Sequence, residues 1–335
     1  MKRWVILLTA VILITTCTAA AEEIEEVHVP NTPCTIFPAD NIWNVPIDTM
    51  PVAEHSADYI TTIGATTTLH PDFGSGLWND GPIGIPHDEV PGDQLPVNIT
   101  FDYADESDAG PYPIPPNPSI EGGNDGDGDR HILIIDNDNC ILYEIYDAWP
   151  EDDGTWSAGS GAIFDLNSNA LRPDGWTSAD AAGLPIYPGL IRYEEVQNGA
   201  INHVIRFTAS QTQGTYVWPA RHEASDITDE SYPPMGQRFR LKADFNISTY
   251  SDDMQVILTA FKTYGLILAD NGSDWYISGE PNEDWDNDML SELKDIPGSA
   301  FEAVDVSSLM VDPNSGTTRP PVTFTDFMFL PIAQR

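Results

Sequence analysis

Twenty-eight prolines and 25 glycines are spread along 335 residues, so few stretches run long enough for an extended helix. Proline removes a backbone donor and clashes with the preceding turn, while glycine loses the most backbone freedom on ordering; both end helices and mark turns. What lies between them is mostly of strand length. The expected fold class is therefore mainly β: one large β-sandwich or jelly-roll-like domain with two short helices and long loops. Hydrophobic residues make up 41% of the chain, enough for a packed core and too many for a disordered acidic tail. From Cys34 to Ser308 there is no repeat, no low-complexity linker and no abrupt change in composition, so residues 34–308 read as one globular β-rich domain. Residues 22–33 read as a flexible leader, and residues 309–335, with Pro313, Asn314, Gly316, Pro320 and Pro321, as a C-terminal linker or tail.

The clearest hairpin runs from His131 to Asp136, turns through Asn137-Asp138-Asn139, and returns from Cys140 to Tyr146. Its first arm is apolar at every second residue on both faces, as in a strand between two layers. From Ile201 to Thr208, His203, Ile205 and Phe207 share one face and Val204, Arg206 and Thr208 the other. From Arg238 to Phe245 the alternation predicts a half-buried strand, with Arg238, Arg240 and Lys242 outward. That basic row either pairs with carboxylates on neighbouring strands or lines a groove for an anionic group. One helix is predicted from Ser251 to Gly265, with Asp252 and Asp253 in its first turn, and a second from Asn287 to Asp295.

At the N-terminus, Lys2 and Arg3 precede an apolar run from Trp4 to Ile14, and Ala19-Ala20-Ala21 offers a small-residue cleavage site. This is the pattern of a signal peptide over residues 1–21, too short in its apolar part to span a bilayer. Thr16-Cys17 is an alternative lipoprotein site, although threonine is a poor residue before such a cysteine. The mature chain has no transmembrane stretch, so it is expected to be secreted. In an oxidising compartment Cys34 and Cys140 form one disulfide or remain as two separately buried thiols. With 53 Asp+Glu against 14 Lys+Arg, a formal net charge of −39, nucleic-acid binding through phosphates and attachment to anionic lipid are excluded. Residues 22–129 contain no Lys or Arg at all. Such a surface keeps a secreted protein soluble, or some of its carboxylates hold Ca²⁺.

Several blocks carry a resemblance: Phe37 to Asn44 (FPADNIWN), Leu69 to Gly74 (LHPDFG), Ala104 to Pro115 (ADESDAGPYPIP), Gly128 to His131 (GDRH), Gly175 to Pro185 (GWTSADAAGLP), Trp218 to His222 (WPARH) and Ala269 to Ser273 (ADNGS). Through them the chain resembles a family of secreted microbial proteins of uncharacterised function. The resemblance spans roughly residues 34–305 and implies one exported domain. It carries over no catalytic residues.

Asp125, Asp127 and Asp129 alternate with glycines in a loop that can wrap oxygens around Ca²⁺, with Asp136 as a more distant ligand. The loop departs from the EF-hand pattern because Arg130 stands where that loop needs glycine. The other reading is an acidic turn, or a site acid at Asp129 beside Arg130 and His131. The seven histidines form no zinc-type pair. His203, on the apolar face of its strand, is either a hydrogen-bonded core histidine or a catalytic one; His222, after Trp218-Pro219-Ala220-Arg221, stands where loops carry function. Aromatic and polar residues mingle in three loops, through Trp176 and Asp180, through Asp270, Trp275 and Tyr276, and through Trp285 and Asp286. Flat rings can cover the C–H faces of a sugar while carboxylates take its hydroxyls. Half-buried tryptophans in ordinary loops are the competing reading.

No nucleophile elbow, phosphate loop or dinucleotide fingerprint is present. These features lead to a secreted carbohydrate-active enzyme acting on an extracellular polysaccharide or glycan in a loop-lined cleft, with Trp176, Trp275, Tyr276 and Trp285 as substrate-binding rings. A hydrolase would draw its two carboxylates from Asp129, Asp270 and Asp286. A lyase would pair His222 or His203 with Arg206, and His131 stands beside Asp129 in either. The alternative is a non-catalytic secreted glycan-binding or surface-layer module stabilised by Ca²⁺.

Overall fold

The computed structural model describes residues 27–30 and 32–319. The signal peptide expected over residues 1–21 and the chain beyond residue 319 lie outside them. The chain is mainly β, as its proline and glycine spacing requires, but the strands form four open sheets. Among the described residues no closed or curled jelly roll is shown. The largest sheet has six strands, in the order His70–Asp72, Tyr276–Ser278, Ile205–Ala209, Leu266–Asn271, Arg238–Leu241 and Phe301–Val304. It is mixed, with Ile205–Ala209 parallel to Leu266–Asn271 and antiparallel to Tyr276–Ser278. The second sheet orders Ser160–Asp165, Ile141–Tyr146, Ile132–Asp136 and His87–Val90. Ile99–Phe101, Trp156–Ala158 and Trp149–Pro150 form a third, and the hairpin Leu77–Trp78/Gly81–Pro82 a fourth.

The hairpin centred on Asn137-Asp138-Asn139 forms as its sequence predicts, and Ile132–Asp136 is buried at every position. Its alternation separates two cores. Leu133 and Ile135 belong to the main apolar cluster, whereas Ile132 and Ile134 face a smaller one with Phe101, Tyr112 and Ile145. A strand covered on both faces carries no polar periodicity, which is why it reads as an unbroken apolar run. Asp136, nominated as a distant ion ligand, accepts from the backbone N–H groups of Asp138 and Asn139 and closes the turn.

The helix Asp252–Thr263 buries Met254, Ile257, Leu258 and Phe261 and packs on Arg238–Leu241. It ends before Gly265, whose φ of 71° and position against the Phe239 carbonyl leave no room for a Cβ. The second predicted helix forms over Asn287–Leu290 and tightens into a 3₁₀ turn, Ser291–Asp295. Two further helices, Ser56–Ile63 and Tyr193–Asn198, were not expected. The first is rich in β-branched residues, which disfavour a helix locally. It holds because Tyr59, Ile60 and Ile63 are buried, with Phe301–Val304 as the packing partner, and Ser56 Oγ accepts from Ala303 N–H.

The basic row is not an exposed stripe. Arg238 is 1% exposed and donates to the Ile42 and Tyr264 carbonyls, with no carboxylate partner among the described residues. Arg240 pairs with Glu302 at 2.8 Å and caps the Ile47, Asp48 and Met50 carbonyls, and Lys242 donates to Ser299. Carbonyls of the segment 41–50 thus take up donors of both arginines.

Cys34 and Cys140 form the disulfide, with Cα atoms 5.4 Å apart across a separation of 106 residues. It indicates an oxidising compartment. No helix among the described residues is long and apolar enough to cross a membrane. Both ends of the expected domain reach further than predicted. Val27 and Val29 are buried in the main core, and the Ile36 amide donates to Val27. At the other end, residues 310–319 form a strap rather than a free linker: Trp218 Nε1 donates to Ser315, Arg221 donates to Pro313 and Asn314, and Thr317 bridges to Asn41.

Candidate active site

The strand Leu266–Asn271 ends at the rim of a cleft of about 380 Å³. Opposite Phe207 and Thr208 the register shifts by one residue at Ala269. Such a bulge changes the face on which the next side chain stands. Asp270 is thereby turned onto the face of Arg206, whose Nη2 lies 3.3 Å from its carboxylate. Arg206 also grips Asp180 through two parallel bonds of 2.7 and 2.8 Å and donates to Ser278 Oγ. Asp180 is fully buried. Burial opposes the charge of Arg206, but Asp180, Asp270 and Glu121 together raise its pKa above the ordinary range. The guanidinium is thus a fixed, permanently charged post under the cleft.

Asp270 is pushed up to about 7, first by burial and then by Asp180 and Asp129, against the lowering effect of Arg206 and His131. Its side chain keeps 21% exposure, so solvent reaches a carboxyl group whose hold on its proton is strengthened well beyond that of an ordinary aspartate. Asp129 lines the same cleft and is exposed. Tyr103, Tyr146, Glu106, Thr177, His222 and Asn271 complete much of the wall.

His131 lies beneath. Its Nδ1 meets Glu121 at 2.5 Å and its Nε2 meets the Ala179 carbonyl at 3.0 Å. Both ring nitrogens face oxygen, so both carry protons and the ring is an imidazolium. Burial opposes that charge, yet Glu121 and Asp129 raise the pKa to about 9. His222 is arranged differently: Nδ1 donates to the Ala181 carbonyl at 2.9 Å, which leaves Nε2, 3.7 Å from Glu106, directed at the cleft. Below the wall, fully buried Glu144 accepts the amides of Ile186 and Tyr187; burial raises it to about 7 in spite of those bonds.

Five of the nominated residues therefore converge: Asp129, His222 and Asp270 line the cleft, and His131 and Arg206 hold its floor. The others do not. His203 is a core histidine, bonded to the Val204 carbonyl and to Glu195, which also holds Arg192. Asp286 caps the helix Asn287–Leu290 through the amides of Asp288 and Met289. Trp275 is wholly buried between Phe207 and Phe301, and its Nε1 donates to Gly64. Trp285 is buried against Phe73 and Tyr193. Tyr276 stacks on His70 at 4.2 Å. Trp176 is half-buried beside Arg172, next to Thr177 of the wall.

Of the loop nominated for Ca²⁺, Asp129 alone joins the metal-capable group. Asp125 and Asp127 are exposed, and the loop carbonyls of Gly123, Asn124 and Gly126 accept from Arg130 Nη1. The loop does wrap a cation, but the cation is the guanidinium standing where an EF-hand needs glycine. Among the described residues the metal-capable group is Glu121, Asp129 and His131, with one ligand-type atom from each lying within 4.8 Å of the others. An imidazole with two carboxylates is a mixed donor set, unlike the all-oxygen cage that Ca²⁺ prefers. The protons on His131 would also have to leave before it could ligate.

Sequence reasoning missed Glu121, Glu106, Tyr103, Tyr146 and Asp72. Asp72 stands at a strand end close enough to Glu121 and Asp129 that burial and these carboxylates raise its pKa. Asp72 and Glu106 fall within the blocks that carry the resemblance; Glu121 had no signal beyond its adjacent glycines. No family model, curated protein or solved structure matches the chain.

Proposed function

We propose that the protein is exported and hydrolyses glycosidic bonds of an extracellular polysaccharide, with Asp270 as the acid that protonates the leaving oxygen and Asp129 as the base or nucleophile. The supporting observation is the meeting of these two aspartates in one tyrosine-walled cleft and in unlike surroundings, one tucked against Asp180 and Arg206 and the other open to solvent. Glycosidase chemistry needs that asymmetry, because one carboxyl must hold a proton while its partner does not. Tyr103 and Tyr146 supply ring surface, and Glu106 and Asn271 supply polar groups for hydroxyls.

A lyase is less well served. It would need a free arginine to neutralise a uronate, whereas Arg206 is committed to Asp180, Ser278 and Asp270. Glu106 and Asp129 would repel an anionic sugar, so the substrate is a glycan without carboxylate or sulfate groups. The reaction as written draws on the side chains alone, and no step passes through a metal.

The test is release of reducing ends from a panel of neutral, amino and acidic polysaccharides. Asp270→Asn and Asp129→Asn, each checked for folding by circular dichroism, should lower the rate by about 10²–10⁴-fold. An Asp270→Asn variant as active as the parent would remove the acid from the scheme. Binding without product from any polymer would favour the glycan-binding module.

A further inference from the structure

Eight large hydrophobic side chains stand exposed among the described residues, and the aromatic ones are Trp78, Tyr103 and Trp149. Trp78 and Trp149 border a single loop, residues 121–130, which brings Asp129 to the cleft. Tyr103 is in the cleft wall. Trp149 adjoins the loop's C-terminal end, where Asp147 N–H donates to Asp129 and Ala148 N–H to Arg130. Trp78 sits in the two-stranded hairpin directly opposite Gly81. Gly81 rests on the backbone of Gly122, so closely that a Cβ would fall 2.2 Å from the Gly122 carbonyl carbon. The hairpin is therefore seated on the loop's N-terminal end, with Trp78 at 73% exposure.

Trp149 is held rather than merely exposed. Its Nε1 donates to Asp147 at 2.6 Å, and the Arg130 guanidinium lies 3.7 Å from the ring centroid. Arg130 is 1% exposed and anchored by carbonyls of the loop and of Ala148, so it covers the inner face of the ring. The 41% exposure of Trp149 accordingly belongs to its outer side. A large ring kept rigid with its outer face in water contributes little to the core, but it is already ordered for a flat apolar partner. The carboxylates that follow it in the chain, Glu151, Asp152 and Asp153, and Asp125 close to Arg130, can accept hydroxyl or amine hydrogens and repel anions.

On the hydrolase reading above, we propose that Trp149 and Trp78, both beside the loop that carries Asp129, are sugar-stacking platforms that extend the cleft, and that the substrate is a chain of several sugar units without anionic groups. The cleft then handles the bond to be cut, and the outlying rings hold the chain across it.

Affinity electrophoresis tests this with the full chain in gels containing hydroxyethyl cellulose, xylan, galactomannan, glycol chitosan, polygalacturonate or heparin. One or more of the first four should retard the protein, with Trp78→Ala and Trp149→Ala each weakening retardation roughly tenfold. Trp149→Phe, which keeps a ring over Arg130, should restore most of the binding, and its melting curve controls for damage to the loop. Hydrolysis rates should fall for long chains and stay unchanged for disaccharide glycosides. Unaltered retardation and chain-length dependence in both alanine variants, with cleavage intact, would overturn the platforms and leave the hydrolase standing. Retardation only by polygalacturonate or heparin would overturn the substrate class. If no polymer is bound or cut, the hydrolase reading fails and takes the platforms with it.

Discussion

Asp270 concentrates the chemistry of the cleft into one proton. With its pKa raised to about 7, the activity of the parent enzyme should fall as pH rises through 7, because the acid form is lost. The same proton governs stability. A raised carboxyl contributes stability fully below its unfolded value and loses it as pH climbs through the folded one. Asp270 and Glu144 act this way up to about 7, and His131, raised to about 9, extends the loss to that pH. Glu121 works in the opposite sense, since its lowered pKa costs stability only in acid. The melting temperature should therefore fall between pH 5 and pH 9. Asp270→Asn, which cannot ionise, should be close to the parent at pH 5 and more stable at pH 8. A parent protein whose melting temperature rises over that range would contradict the assignment of these buried protons.

At the scale of elements, legibility followed periodicity. The hairpin of residues 131–146 and the helix Asp252–Thr263 repeat apolar residues at regular intervals, and both stand where the pattern places them. Asp129 and Asp270 were legible because each lies at the edge of such an element. Glu121, Asp180 and Glu106 come from irregular loops whose paths depend on what they pack against. Trp275 was misread for a related reason. Its neighbours Asp274 and Ser273 suggest a surface loop, yet its φ of 60° accompanies a ring buried in the core. The basic row was legible in part: Arg240 pairs with Glu302 on the neighbouring strand, as expected, but a strand's own alternation cannot show that Arg238 is buried and held by carbonyls of other segments. One element should prove sensitive. Glu144 alone satisfies the amides at the start of the turn Tyr187–Gly189, so Glu144→Ala should cost about 3 kcal/mol in urea unfolding by leaving buried donors unpaired.

Over the whole molecule, a surplus of carboxylates works against compactness, and a covalent tie works for it. Added NaCl should raise the melting temperature by screening a formal charge of −39. Removing the tie by Cys34→Ser with Cys140→Ser should lower stability by about 4 kcal/mol in the chain-entropy account, read as a lower urea midpoint. The strap of residues 310–319 has a different consequence. Arg221 leans on Pro313 and Asn314, and His222 follows it into the cleft. A carboxypeptidase nibbling inward from the far terminus would thus unseat the cleft histidine while both large sheets were still whole, and catalysis would fade before any loss of fold could be detected.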